Sequence, residues 1–362
     1  MMRACTHLPP FTTIGAAMTT ARKLPLIIIC TLALILGSLV LTGCDNSSSS
    51  SNPSTQQEEQ KDGQGQAPAQ DALDSHEEGA EGEENQGNPP VGKQVVLDYD
   101  SSKPVEVGGY YFKAGEAGNL EYSALASGPW TSTDMFPQQT FIESSVAYYL
   151  SYNGKDGKHY LMKYDLEKGR KDTIDKLGES ADAVGALYDN LLFINYSNYD
   201  NFTVYVRVYD LNEHKLRSTR IKNACIQAAS GEYVSFVSEL HTDVSPYKLY
   251  LGRLTANGTI ADKRLVAQRS FNSNFVGSKL WFCSYKNIDM GGTMYVKSVE
   301  TKNGLGAKVK TVHTYKAKRS NMQMAMNFQK TRYGLITFPN NKVRHYLVAA
   351  KTGKKTRFYP AS

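Results

Sequence analysis

Residues 160–165 read YLMKYD, 205–210 read YVRVYD, 250–255 read YLGRLT and 295–300 read YVKSVE. Their opening tyrosines, Tyr160, Tyr205, Tyr250 and Tyr295, recur at an interval of 45 residues. A further copy, YLVAAK, opens at Tyr346 after a delay of six residues, and a weaker first copy, NLEYSAL, covers 119–125. The residue after each tyrosine is aliphatic: Leu161, Val206, Leu251, Val296 and Leu347. A fixed spacing of this kind is the signature of a repeat architecture, in which each unit buries its apolar face against the next. Within each copy the apolar residues alternate with period 2, so the unit is built of strands.

Upstream of each tyrosine strand lies a second aromatic strand: GYYF (109–112), VAYYLSY (146–152), NLLFINY (190–196), YVSFVS (233–238), KLWFCSY (279–285) and GLITF (334–338). Shorter stretches such as QTFIES, NACIQAA and NMQMAMNF precede these, and polar strands such as KLRSTRI and AKVKTVH follow the tyrosine strand. The unit is therefore four short antiparallel strands with turn signals every 8–12 residues. Six units across 93–362 average 45 residues each. The prediction is an all-β, six-bladed β-propeller, whose radial packing leaves only short, protected edges. Five and seven blades are the neighbouring counts. A helical solenoid would need period 3.6 inside each repeat. The aromatic strand, turn and Y-x-x-D-type strand resemble the Tol-type and dipeptidyl-peptidase-type propeller families, over most of 105–360.

The rest of the chain is an address and a tether. Only 24–42 is apolar enough to approach spanning length. Before it stand Arg22 and Lys23, and its end runs into the tetrapeptide Leu41-Thr42-Gly43-Cys44. This order makes residues 1–43 a secretory signal peptide, with Met18 the better start. The tetrapeptide resembles the lipobox of bacterial lipoproteins, and the resemblance implies that Cys44 is lipidated and becomes the mature N-terminus. Residues 44–92 then form a linker rich in Ser, Gln, Gly, Glu and Pro. From 45 on it carries 11 acids and one base, Lys61. It lacks the apolar surface to offset chain entropy and is expected to be disordered. Its 48 residues would span about 40 Å as a flexible coil. A tether of that length suits a Gram-positive-type envelope and places the domain on the extracytoplasmic face of the cell membrane. Cys225 and Cys283, the cysteines of the folded part, are expected as free thiols rather than a disulfide.

Motifs for chemistry are sparse. The seven histidines show no paired metal-ligand spacing, and no G-x-S-x-G elbow or phosphate-cradling glycine loop occurs. No catalytic residue, metal or cofactor is assigned. Met322, Met324 and Met326 share one strand face by period 2, with Phe328 continuing the stripe, and read as core packing.

Charge is the exception. Residues 93–262 hold 17 bases and 22 acids, whereas 263–362 hold 20 bases and only Asp289 and Glu300. Eighteen net charges on about two blades exceed what solubility requires. The densest run supplies the candidate anion-binding residues Lys308, Lys310, Lys316, Lys318 and Arg319, and the basic tail adds Lys351, Lys354, Lys355 and Arg357. The function expected is a lipid-anchored binding or scaffold module for an anionic envelope polymer, not an enzyme. The alternatives are a glycan- or peptide-cleaving propeller and an envelope protein-assembly partner. The compartment makes nucleic acid the least favoured polyanion. The acidic linker is expected to compete for the basic sector from within the chain.

Overall fold

The structure, a computed structural model, describes residues 91–198, 203–238, 247–287, 291–302, 304–318 and 321–360. The signal segment, Cys44 and the acidic linker up to residue 90 lie outside these residues, whereas Val91 and Gly92, expected as the end of the linker, are held against blade 3. Beyond two single-turn 3₁₀ segments, the described chain is β-strand and connection. The strands form where the sequence alternates. Thr203–Asp210, for example, buries Val204, Val206 and Val208 and turns the intervening side chains outward.

The strands assemble into six four-stranded antiparallel blades: 105–132, 141–178, 181–222, 225–267, 270–315 and 323–358. The protein is a β-propeller. Blades 4 and 5 merge into one seven-stranded sheet because the 17-residue strand Ile260–Val276 serves both. Its first half pairs with the blade 4 strand Tyr247–Leu254, and its second half pairs with the blade 5 strand Lys279–Tyr285. Within a blade each strand pairs with its sequence neighbour. The first-to-second and third-to-fourth turns therefore share one face of the disc, here called lower. The second-to-third turns and the blade-to-blade connections share the upper face.

The repeated tyrosines open the third strand of their blades, and Leu161, Val206, Leu251 and Val296 beside them have no exposed surface. The second strand of every blade contributes one large ring to the core: Phe112, Tyr149, Phe193, Phe236, Phe282 and Tyr333 are each under 2% exposed. Each such side chain contributes about 2–3 kcal/mol by burial. Amide side chains tie blades across their seams. Asn195 of blade 3 accepts from the Ile226 N–H and donates to the Ile226 carbonyl, both at 2.9 Å. Asn274 of blade 5 treats Phe328 of blade 6 the same way, at 3.0 and 2.8 Å. These bonds satisfy backbone groups that would otherwise be buried unpaired.

The methionine stripe behaves differently from its period-2 reading. Met324 and Met326 pack with Ile336 and Tyr99 on one side of blade 6, whereas Met322, ahead of the strand, packs against the core shared with blades 4 and 5, and Phe328 joins that core. The reason is Asn327, whose backbone takes φ of +51° and turns the chain over before Phe328.

Blades 1 and 6 share no strand. Their seam is filled by a strap, residues 91–99. Val91 bridges to Tyr188 of blade 3, and the strand Lys93–Gln94 pairs with Phe141–Ile142 as a fifth strand on the inner edge of blade 2. The Ala229 N–H of blade 4 donates to Gln94 Oε1 at 3.4 Å. Val95 and Leu97 are buried in the core of blades 1 and 2. Beyond them, Gln329 of blade 6 donates to the carbonyls of Val96 and Leu97 at 3.2 Å each. Arg332 of blade 6 pairs with Asp98 at 2.9 Å. Tyr99 then lies flat on blade 6, where a Cβ on Gly334 would come within 2.1 Å of its ring.

Candidate anion-binding site

The sequence candidates lie along the blade 5 outer strand Lys310–Tyr315 and do not converge on one point. Lys308 and Lys310 are exposed at its lower end, and Lys316 and Lys318 are exposed past its upper end. Six residues of strand separate the pairs by about 20 Å. Arg319 and Cys44 lie outside the described residues. Of the two cysteines of the domain, Cys283 is buried and Cys225 half-buried. Burial pushes the Cys283 thiol up, and its Sγ donates to the Phe271 carbonyl at 2.7 Å.

Charge pairing divides the disc. Blades 2 to 4 cancel their charges locally, through Lys168–Asp165, Arg170–Asp172, Lys176–Asp156, Arg217–Asp210 and Arg253–Asp262 at 2.7–3.0 Å. In blades 5 and 6, among the described residues, Arg332 forms an ion pair, and its partner Asp98 belongs to the strap. Glu300 accepts from the N–H groups of Thr301 and Lys302 at 3.2 and 3.3 Å. A cation of neighbouring blade 4 reaches across to a blade 5 carbonyl: Arg264 donates to Ala307, 2.6 Å away. A cleft of about 320 Å³ opens at the lower edge between blades 4 and 5, but Asp262 and Glu232 already engage its Arg253.

The half-buried tyrosines that mark the repeat also mark where cations gather. In blade 2 the Lys176 ammonium lies 5.4 Å from the Tyr160 ring centroid. Arg220 lies 5.0 Å from Tyr205, and Lys297 lies 5.4 Å from Tyr295. Such contacts are worth about 0.5–1 kcal/mol at exposed positions. In blade 6 they multiply. Arg357 lies 5.4 Å from Tyr346 and 5.3 Å from Tyr359. The Lys355 ammonium lies 4.4 Å from the blade 5 Tyr315 ring and 5.9 Å from Tyr346.

Register explains the gathering. Tyr346 pairs with Arg357 and Val348 with Lys355, so Arg344, Tyr346, Lys355 and Arg357 share the face of blade 6 turned toward blade 5. Burial would raise the Tyr346 phenol, but hydrogen bonding by Arg357 and Arg344 outweighs it and holds the group below the ordinary tyrosine range. Lys316 and Lys318 follow Tyr315 directly, so the upper pair of sequence candidates adjoins this cluster, whereas Lys308 and Lys310 stand at the far end of the strand. Sequence reasoning noted Lys355 and Arg357 as basic tail and Tyr346 as a repeat mark. It did not join them, nor single out Arg344.

Among the described residues no group of three or more His, Cys, Asp or Glu side chains is placed to hold a metal ion. No protein-family model matches the chain, and no curated protein matches it. Solved structures do. One of two prolyl endopeptidases analysed for inter-domain dynamics aligns with 75% of this chain at 13% identity and a TM-score of 0.46, and this chain spans 42% of its length. The propeller domain of the trilobed protease from Pyrococcus furiosus aligns with 76% of this chain at 10% identity and a TM-score of 0.42, over 85% of its own length. TolB from Acinetobacter baumannii aligns with 74% at 11% identity and a TM-score of 0.37, over 65% of its own length. The likeness is one of fold and says nothing about activity here.

Proposed function

We propose that this chain is a lipid-anchored extracytoplasmic propeller that binds an anionic envelope polymer through blades 5 and 6, with no catalytic step of its own. The observation that carries the reading is the net charge of +18 over 263–362, where, among the described residues, a single cation has a carboxylate partner. Clustered cations without counter-charges attract polyanions strongly, and the attraction falls steeply with salt. The lipobox at Cys44 supplies the membrane anchor, and the linker, at −10 over 45–92, acts as a tethered competitor for the same sector. On a flexible connection its effective concentration is on the order of mM.

The experiment compares the full chain with a form beginning at residue 90, which keeps the strap, for binding to long-chain polyphosphate across a salt series. The shorter form should bind tighter, and both should weaken as salt rises. Equal binding would remove the competitor role, and absence of binding by both forms would remove the polymer reading. Separately, Cys44→Ser should abolish fatty-acid labelling and leave an unprocessed precursor. Unchanged labelling would remove the anchor.

A further inference from the structure

We infer that the face of blade 6 formed by Arg344, Tyr346, Lys355 and Arg357 is a specific oxyanion site, which takes one phosphate group of a phosphate-bearing polymer. The inference deepens the polymer-binding reading above and rests on it.

The argument is an internal comparison. Blades 2 and 6 carry the same tripeptide at the opening of the third strand, His159-Tyr160-Leu161 and His345-Tyr346-Leu347. In blade 2 a carboxylate completes the arrangement. Asp156, four residues before Tyr160, accepts from the Tyr160 hydroxyl at 2.5 Å and from Lys176 at 2.8 Å. Lys176 and Tyr160 together push this carboxyl down to about 2. In blade 6 the equivalent position, four before Tyr346, is Lys342. The tyrosine and the fourth-strand cations remain, Arg344 is added, and the anion has gone.

An acid four residues before the tyrosine is found in blade 2 and not in blades 3 to 5, where Asn201, Pro246 and Gly291 stand, but blade 6 differs from all of them in having no acid anywhere in this connection. The connections between second and third strands carry Glu116 in blade 1, Asp156 in blade 2, Asp200 in blade 3, Glu239 and Asp243 in blade 4 and Asp289 in blade 5. The connection of blade 6, 338–343, reads FPNNKV and has no acid. Two guanidinium forks, an ammonium and a phenol hydroxyl supply more donors than one carboxylate accepts, and they suit the two non-bridging oxygens of a phosphate within a polymer, each of which accepts more than one hydrogen bond. Arg344, Lys355 and Arg357 are exposed, so a polymer can reach them, while Tyr346 is half-buried and holds the base of the site. Lys316 and Lys318 continue the positive surface along the upper rim, toward neighbouring phosphates of the same polymer.

The test uses the full-length protein and long-chain polyphosphate, with inorganic phosphate and vesicles containing phosphatidylglycerol as further arms. Arg357→Gln and Arg344→Gln should each weaken polyphosphate binding roughly tenfold and reduce the salt slope by about one charge. Lys342→Asp, which restores the blade 2 arrangement, should weaken binding at least as much, whereas Lys342→Asn should cost clearly less. Unchanged thermal transitions would show that the variants are folded. Should Lys342→Asp and Arg357→Gln bind like the parent while Gln at Lys308, Lys310, Lys316 and Lys318 abolishes binding, the site falls and the polymer reading stands. If the parent binds no polyphosphate, both fall. Binding confined to vesicles overturns the polymer as the source of the phosphate.

Discussion

Blade 2 and blade 6 descend from one pattern of residues and end in opposite states. Blade 2 neutralises itself: Asp156, Asp165 and Asp172 each hold a base within 3.0 Å. Blade 6 has no acid of its own, and its one paired cation, Arg332, depends on Asp98 from the strap. The strap itself treats the two blades differently. It joins blade 2 by backbone pairing, as an added strand, and blade 6 by side chains alone. Where blade 2 fills its second strand with Leu150, blade 6 has Gly334, and the ring of Tyr99 occupies the space. The lesson is that the last blade is completed from outside itself, on one face by the chain's N-terminal strap and, by our reading, on the other by an anion.

The largest effect should come from removing the strap. A chain starting at residue 100 loses the buried side chains of Val95 and Leu97, each worth about 1.5–3 kcal/mol, and leaves Arg332 unpaired. Against a total stability of roughly 5–15 kcal/mol, this should abolish a single sharp thermal transition. A transition within a few degrees of the parent would mean that the ring closes without its strap.

A smaller change should separate the two blades by their ion pairs. The side chains of Arg332 and Asp98 are only 22% and 10% exposed, so Asp98→Ala should cost about 2 kcal/mol by stranding a cation. Asp172→Ala in blade 2 breaks a pair open to solvent, 70% and 35% exposed, and should leave the denaturant midpoint unmoved. Equal costs would erase the distinction.

Gly334→Ala should cost about 1–3 kcal/mol by driving a methyl group into the Tyr99 ring. The penalty should shrink in a Tyr99→Ala background, a coupling that a double-mutant cycle measures. Additive costs would place the strain elsewhere.

The smallest effect is one of pH. His345 is lowered from an ordinary value near 6.5 by burial and then by Arg357, and its Nδ1 lies 2.5 Å from the Tyr99 hydroxyl. His159 of blade 2 is lowered by burial as well, against the opposing pull of Asp182. A depressed folded value means that the unfolded chain binds more protons as pH drops through 6.5. Stability should therefore be full above about pH 7 and decline toward pH 5, by no more than about 1.4 kcal/mol per pH unit for each histidine. His345→Phe should flatten part of that decline in thermal melts. An unchanged slope would assign it to His159.

The sequence alone determined the blades. Period-2 alternation and the 45-residue tyrosine interval are local properties, and strands that pair with their chain neighbours need nothing more. The aromatic second strands that hold the rings from Phe112 to Phe282 were legible for the same reason, and so was the surplus of charge after residue 263, whereas Tyr333 precedes the stretch 334–338 read for blade 6. The strap was not legible: 91–99 carries no copy of the repeat, and its partners Gln329 and Arg332 lie more than 230 residues away. Nothing local encodes a contact at that separation. The blade 6 site was legible only in parts. Tyr346 was marked by the repeat and Arg357 by the basic tail, but their meeting depends on the register Tyr346↔Arg357. The turn between the last two strands sets that register, and a shift of one residue would move Lys355 and Arg357 to the face opposite Arg344 and Tyr346. Composition counted the cations, and tertiary structure decided which of them share a face.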